Sequence, residues 1–456
     1  MTPTTTTDQR TTPATGSSPE KDPLHLIDVD HVRFCVGNAK QAAVFYASTF
    51  GFRITQLHDL TCGARSMARY MLEQGNIRFI LETPMNPDHP ANDELRKYGD
   101  GIKDIAFNVH DAESAYARAI ANGAISSHGP ETFSDGDGSM TTASIKTYGR
   151  VVHTFVSRTG RYALPELKQG GLFMPGWKHY DCGLNQYNLD HPCGLKFVDH
   201  CVGNVEEGKM NEWVKWYEDA LEFSMFKHFD DADISTEHSA LMSKVMASGN
   251  HLIKMPINEP ADGLKKSQIQ EYLDWHDNTP GCQHLALRTD DELASVAELR
   301  RRGVDFLQLP DTYYELVWDR VNNVLREHGH EPVKEDHERI KELGILVDAD
   351  DEGYLLQLFT KPLQDRPTMF FEIISRMGSQ SFGKGNFKAL FEALEMEQDR
   401  RGNLQATGST EFHDEDTGSL RLVGGVRQVG ITNQVRRRRP CRRSTVCRPS
   451  RSRGRR

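Results

Sequence analysis

Three stretches of this chain each carry a chemically active residue in surroundings that read as buried. Residues 369–376, MFFEIISR, form an apolar, β-branched and aromatic run with one carboxylate, Glu372, at its centre. LKFVDHCVGNV holds His200, and GCQHLALRT holds His284; both are strand-like runs interrupted by an imidazole. A lone buried carboxylate costs several kcal/mol unless it neutralises or finds a cation. If Glu372 faces the interior, something must pair with it, and the two histidines are the available partners. Two histidines and one carboxylate on three strands make the ligand set of a mononuclear non-haem iron(II) site. Three ligands on one face leave open positions for a bidentate substrate and O2.

The elements that must position these residues can be read from periodicity and turn chemistry. Residues 26–34 read as a strand and 40–50 as a helix, with Ala43, Phe45 and Tyr46 facing inward. Residues 70–82 give two short strands around a Gln-Gly-Asn turn. Next come a strand at 101–109, a helix at 111–122 and a strand at 151–158. The pattern then returns. A strand at 197–205 leads into a helix at 206–221, with Trp213, Trp216 and Tyr217 on one stripe. Residues 239–247 and 251–257 flank a Ser-Gly-Asn turn as a hairpin. A strand at 282–289, helices at 291–302 and 312–328, and strands at 344–349 and 354–360 lead to 369–376. An amphipathic helix at 386–401 closes the pattern.

The return is an internal repeat. GIKDIAFNVHD at 101–111 parallels GCQHLALRTDD at 281–291, DHVRFCVGNA at 30–39 echoes DHCVGNV at 199–205, and HTFVSR at 153–158 parallels FEIISR at 371–376. The chain therefore reads as two halves built from duplicated βαβββ modules. Opposite His200, His284 and Glu372 the first half offers His31, Asp104 and Thr154. Thr154 cannot supply a charged third ligand, so the first half is expected to be structural and the second metal-binding. The expected organisation is a disordered N-terminal tail (1–22), an N-terminal structural domain (23–160), a Gly-, Pro- and Tyr-rich linker (161–194), a C-terminal catalytic domain (195–404) and a disordered Arg-rich tail (405–456).

Composition bounds the function. The net charge of −10 conceals an asymmetry: 13 Arg face 4 acidic residues from Gln405 onward, which leaves 1–404 at −19. An acidic body argues against nucleic acid as the partner of the folded part. The tail has the composition of a disordered extension, or of a GC-rich gene read out of frame. No apolar run approaches the roughly 20 residues needed to span a bilayer, and the N-terminus lacks a secretory pattern. Eight cysteines are scattered without CxxC pairs, which suits neither a zinc ribbon nor a disulfide framework and points to a reducing cytoplasm. Gly383-Lys384-Gly385 lacks the spacing of a phosphate loop.

Within this frame, SALMSKVMASGNHLIKMPINEP, KSQIQEYLDW, GCQHLALRTDD, PDTYY, GYLLQLFTKP, FFEIISRMGSQSFGKGNFKALFEALE and EQDRRGNL together resemble the 4-hydroxyphenylpyruvate dioxygenase family. The resemblance runs from about Leu24 to Leu404 and is densest in the second half. It implies an α+β fold of two vicinal-oxygen-chelate (glyoxalase-like) domains of paired βαβββ modules, the C-terminal one with an open half-barrel metal site. It implies one Fe(II) per chain, held by His200, His284 and Glu372. Ser243, Asn258, Gln268, Gln283 and Gln357 match polar positions of the family's substrate pocket; Pro256, Phe359, Phe382, Asn386 and Phe387 match its lining. Gln268, Gln357 and Asn258 are the residues expected to take part in catalysis. The helix from Asn386 matches one that covers the pocket. The implied reaction turns 4-hydroxyphenylpyruvate and O2 into homogentisate and CO2, a step of tyrosine and phenylalanine catabolism, in a cytoplasmic homo-oligomer (dimer or tetramer) that engages neither membrane nor nucleic acid. Two rivals stand beside it: 4-hydroxymandelate synthase, with the same substrate and iron site, and a non-catalytic binding protein of this fold. Pro256, Asn258 and Phe359 favour the dioxygenase.

Overall fold

The computed structural model describes residues 22–229, 240–261, 266–402, 411–413 and 420–422. The tails expected to be disordered lie outside these, apart from Asp22 and two three-residue strands.

The first half runs β1 (Leu26–Cys35), α1 (Ala39–Phe50), β2 (Arg53–His58), β3 (Met67–Gln74), β4 (Ile77–Pro84), α2 (Ala91–Tyr98), β5 (Gly101–Val109), α3 (Ala112–Ala121), β6 (Ile125–Asp135), β7 (Gly138–Lys146) and β8 (Val152–Gly160). The segment expected to link the halves carries α4 (Leu164–Lys168), β9 (Lys178–His179) and α5 (Gly183–Asp190). The second half runs β10 (Leu195–Asn204), α6 (Met210–Leu221), β11 (Ser224–Phe229), β12 (Ala240–Ala247), β13 (Lys254–Ala261), α7 (Gln268–Trp275), β14 (Gly281–Thr289), α8 (Glu292–Arg301), α9 (Thr312–Glu327), α10 (His337–Leu343), β15 (Leu346–Asp350), β16 (Gly353–Phe359), β17 (Phe370–Met377) and α11 (Phe387–Arg400). Strands β18 (Glu411–His413) and β19 (Leu420–Leu422) pair antiparallel in a separate unit, 409–456. No described helix is long and apolar enough to cross a membrane.

The repeat in sequence is a repeat in topology. The first sheet has the order β6-β7-β8-β5-β1-β4-β3-β2-β9, and the second β15-β16-β17-β14-β10-β13-β12-β11. β9 is a two-residue addition at the edge of β2; without it the two orders match strand for strand. Register makes the equivalence residue-specific. His31 pairs with Ala106 across β1 and β5, and His200 pairs with Ala286 across β10 and β14. Ala286 in turn lies level with Glu372. The pairs Asp104–Val152 and Phe107–Phe155 put Thr154 level with Ala106. Thus His31, Asp104 and Thr154 do stand at the positions of His200, His284 and Glu372.

Local signals explain most boundaries. Asp111 and Asp291, equivalent in the repeat, cap α3 and α8 by accepting backbone N–H bonds from the first turn; such a cap contributes about 1 kcal/mol. α1 ends at Gly51, whose φ of 74° suits glycine. Its buried stripe is Ala39, Ala43, Tyr46, Ala47 and Phe50. Phe45, expected inward, is 39% exposed, because it lies about 100° round the helix from Tyr46. In α6, Val214, Tyr217, Ala220 and Leu221 are buried, while Trp213 and Trp216 are half-buried beside them. The sequence reading omits β6, an exposed edge strand reading ISSHGPETFSD. Such strands carry polar residues and proline, not hydrophobic alternation.

The two halves share a core. Alternation along β17 sends Phe371 and Ile373 to one face and Phe370 and Glu372 to the other. Phe371 meets Phe50 (5.1 Å between ring centroids) and Phe79 (5.6 Å) of the first half. The buried ring of Tyr148, between β7 and β8, lies against Gly203 of β10, where a Cβ would stand 2.7 Å from it. Gly203→Ala is therefore expected to cost about 1–3 kcal/mol by overpacking. Urea unfolding measures this, and an unchanged midpoint would show that the ring yields freely.

Candidate metal centre and its cavity

Neighbouring strands β10, β14 and β17 each send one residue to the same face, and their donor atoms converge. The Nε2 of His200 is 3.2 Å from Oε2 of Glu372, and the Nε2 of His284 is 3.5 Å from it. One donor from each of the three lies within 4.8 Å of the others. All three residues are buried, at 4%, 8% and 3% exposure.

The rings are set for coordination. His200 Nδ1 lies 2.8 Å from Asp199 Oδ1, and His284 Nδ1 lies 3.0 Å from Gln283 Oε1. Each acceptor takes an Nδ1–H, so the Nε2 atom of each ring is the one turned toward Glu372. That second shell is the one metal-binding imidazoles use. Burial pushes the Glu372 carboxyl up, but the two imidazoles outweigh it and hold it at about 2. Burial lowers His284 overall. At His200 burial opposes charge, but Glu372 and Asp199 prevail and raise its pKa. A carboxylate and two imidazoles that converge through their Nε2 atoms fit a divalent ion of the iron or zinc type.

The first half answers the same position differently. Asp104 Oδ2 accepts from Arg33 Nη2 (2.9 Å) and Thr154 Oγ1 (2.6 Å). Glu82 accepts from Arg69 Nε (3.0 Å) and lies 3.5 Å from Arg33. By register, Arg33, Arg69 and Glu82 correspond to Val202, Ser243 and Asn258. Fixed guanidinium groups compensate the buried carboxylates there. Leu167, Phe173 and Trp177, from the segment after β8, pack with Ala106 and Val156 on the same face.

In the second half that face is a cavity. Its wall includes all three candidate ligands together with Ser243, Pro256, Asn258, Gln268, Gln283, Phe359, Phe382 and Phe387. The sequence-predicted residues that do not reach it are Gln357 and Asn386. Gln357 shares the face of Phe359 but lies level with Ile374, one step beyond Glu372. It is fully buried beside Gly383, where a Cβ would stand 2.2 Å from its amide nitrogen. The Asn386 Oδ1 accepts from Tyr313 OH (2.7 Å) and Arg320 Nη2 (3.1 Å), which anchors the turn before α11. Side-chain direction out of a loop has no periodicity from which to read it.

The sequence reading missed Val202, Leu241, Val245, Phe370, Leu390 and Leu394 on the cavity wall. Two signals were available: Phe370 alternates with Glu372, and Phe387, Leu390 and Leu394 have the spacing of one helical face. A larger groove of about 1210 Å³, which includes Arg53, Arg78, His179 and Lys196, brings together no such ligand set among the described residues. Convergent polar groups, more than size, mark a site. Glu372→Ala is expected to weaken divalent-ion binding by more than the roughly 10–100-fold typical of losing an outer-shell partner. Metal analysis after dialysis tests this, and full metal content would remove Glu372 from the ligand set.

The glyoxalase/bleomycin resistance protein/dioxygenase superfamily matches residues 28–146 and 198–358, one segment in each half. A 4-hydroxyphenylpyruvate dioxygenase of Caenorhabditis elegans is 44% identical over 382 residues, covering 83% of this chain and 94% of the relative. That of Dictyostelium discoideum is 43% identical over 377 residues, covering 82% and 99%. The solved structure of a triple mutant of 4-hydroxymandelate synthase from Streptomyces coelicolor superposes with a TM-score of 0.67 at 27% identity, covering 81% of this chain and 98% of the other. The two glyoxalase-like halves, the cavity on the second and this degree of identity agree: the chain belongs to the 4-hydroxyphenylpyruvate dioxygenase family.

Proposed function

We propose that the protein is an iron(II)-dependent dioxygenase that converts 4-hydroxyphenylpyruvate and O2 to homogentisate and CO2, in tyrosine and phenylalanine catabolism. One observation carries this reading: the two-histidine, one-carboxylate face opens into a cavity walled by aromatic rings and side-chain amides. A 2-oxo acid with a phenol ring has matching parts, a chelating head and a flat apolar body. His200, His284 and Glu372 are the proposed ligands. When bound, iron(II) supplies the oxygen activation, and the carboxylate offsets half its charge.

The rest of the work falls to the protein. Asp199 and Gln283 hold the Nδ1 protons of the two histidines, so each ring would coordinate an ion through Nε2 as a neutral imidazole. The Gln283 amide nitrogen stands 3.5 Å from Gln268 Oε1, which ties a cavity-wall amide to the ligand's orienting group. Ser243, Asn258 and Gln268 are assigned to polar atoms of the substrate, with Gln268 and Asn258 nearest the chemistry. Gln357 supports the Gly383 turn from behind. Pro256, Phe359, Phe382 and Phe387 clasp the ring, Asn386 anchors the turn before α11, and that helix excludes water with Leu390 and Leu394. Oxidative decarboxylation, ring hydroxylation and side-chain migration then depend on where the ring is held.

4-Hydroxymandelate synthase is the nearer rival. It is favoured only as a structural neighbour at 27% identity, whereas the sequence relatives at 43–44% are dioxygenases. Apo-protein loaded anaerobically with ferrous iron, then given 4-hydroxyphenylpyruvate and air, is expected to form homogentisate with matching CO2 release. 4-Hydroxymandelate would replace the reading with the synthase, and an absence of product would favour a binding protein.

We place the catalytic unit at 195–404, supported by the structural unit 23–160 and the linker 161–194. The tail 405–456 is not expected to take part. Truncation after Leu404 should retain turnover within about twofold, because the tail contributes none of the candidate ligands or described cavity-wall residues. A large loss in the steady-state rate would assign the tail a role.

A further inference from the structure

The surroundings of His200 hold a group that the proposed chemistry does not use. Arg376 is the penultimate residue of β17, and its side chain is 6% exposed. Its Nε and Nη2 donate to the two oxygens of Asp199, at 2.9 and 2.8 Å. Its Nη1 donates to the carbonyls of Ser379 (3.4 Å) and Ser381. The guanidinium also lies 5.4 Å above the ring of Phe382. Asp199 is the acceptor for His200 Nδ1, and the Phe382 ring stands edge-on to the His200 ring at 5.0 Å. The candidate ligand is thus gripped on two sides, and one guanidinium holds both grips.

The first half contains the same four-residue arrangement. Arg158 donates to both oxygens of Asp30, whose Oδ1 is 2.7 Å from His31 Nδ1. The Phe173 ring lies edge-on to His31 at 5.2 Å and 4.9 Å beneath Arg158. Phe173 comes from the segment after β8 and Phe382 from a shorter loop after β17, so the two rings reach this place by unlike routes. The first half has no third ligand, and its copy of the arrangement has no metal to orient. It is an internal control. Replacing a buried ion pair by apolar residues is often neutral or stabilising, so fold stability alone is a weak reason for the second copy.

We propose that Arg376 is a positioning residue of the metal centre: through Asp199 it fixes the orientation of the His200 ring, and through the Ser381 carbonyl it seats Phe382 against that ring. Arg158 performs only the structural part. The proposal rests on the metal-binding role of His200, His284 and Glu372.

The test compares Arg376→Lys with Arg158→Lys in the full chain. Lysine keeps the charge but cannot donate in parallel to both carboxylate oxygens while holding the Ser381 carbonyl. Apo-protein is titrated with Co(II) alone, following affinity and the visible absorption of the bound ion, and unfolding is measured in parallel. Both variants are expected to lose stability to a similar degree. Arg376→Lys alone should bind Co(II) roughly 10–100-fold more weakly, with an altered spectrum. Wild-type affinity and spectrum in Arg376→Lys, or equal weakening in Arg158→Lys, overturns the proposal and leaves the metal reading standing. Wild-type protein that binds no Co(II) overturns the metal reading, and the proposal with it. If Arg376→Lys does not fold, Asp199→Asn takes its place: the same weakening supports the proposal, and unchanged affinity overturns it.

Discussion

A carboxylate buried in the middle of an apolar strand sets the terms for this molecule. Glu372 is 3% exposed and ionised, and in a low-dielectric interior that state requires compensation within a few ångströms. The nearest compensation comes from adjacent strands, because the immediate same-face neighbours of Glu372 on β17, Phe370 and Ile374, are apolar. β14 and β10 bring one imidazole each, and their own acceptors, Gln283 and Asp199, prevent the rings from turning. The opposite face of β17 is committed to the shared core through Phe371 and Ile373. The strand therefore cannot shift by one residue without exchanging core for site.

The same strand order, in two separate sheets, solves the same problem twice. Where the second half converges on a potential ion, the first half installs Arg33 and Arg69 beside Asp104 and Glu82. A guanidinium is a permanent cation with fixed geometry; an ion can be bound and can bind substrate in turn. The divergence is confined to a few side chains on one face, while strand order and register persist. A shared topology with one changed face is the difference between the two halves.

The segment after the last strand of each half decides whether the face is filled or open. After β8 the chain turns inward and packs Leu167, Phe173 and Trp177 over the first sheet. After β17 a loop stitched to Asp350 through Ser379, Gln380 and Ser381 carries the chain to α11. That helix spans the cavity with Phe387, Leu390 and Leu394 and leaves room beneath. Both segments pass the Arg–Asp–His–Phe arrangement, so the anchoring of the exit loop and the orientation of the histidine are mechanically one feature.

Sequence alone determined the two-fold repeat, the strands that bear His200, His284 and Glu372, and the helix over the site. These are local properties: period-2 and period-3.6 patterning, caps at Asp111 and Asp291, and charges stranded in apolar runs, all of which are written in consecutive residues. Polar edge strands such as β6 were hidden because they bury almost nothing and so carry no pattern. Only the tertiary structure decided which side chains reach the cavity. Gln357 and Phe359 share a strand face, yet two residues of rise carry Gln357 past Glu372 to the Gly383 turn. Asn386 closes a short 3-10 turn whose direction is fixed by Tyr313 and Arg320, distant in sequence. The pairing of Asp199 with Arg376 joins residues 177 positions apart, and no local rule reports a contact that exists only after the sheet has closed its register.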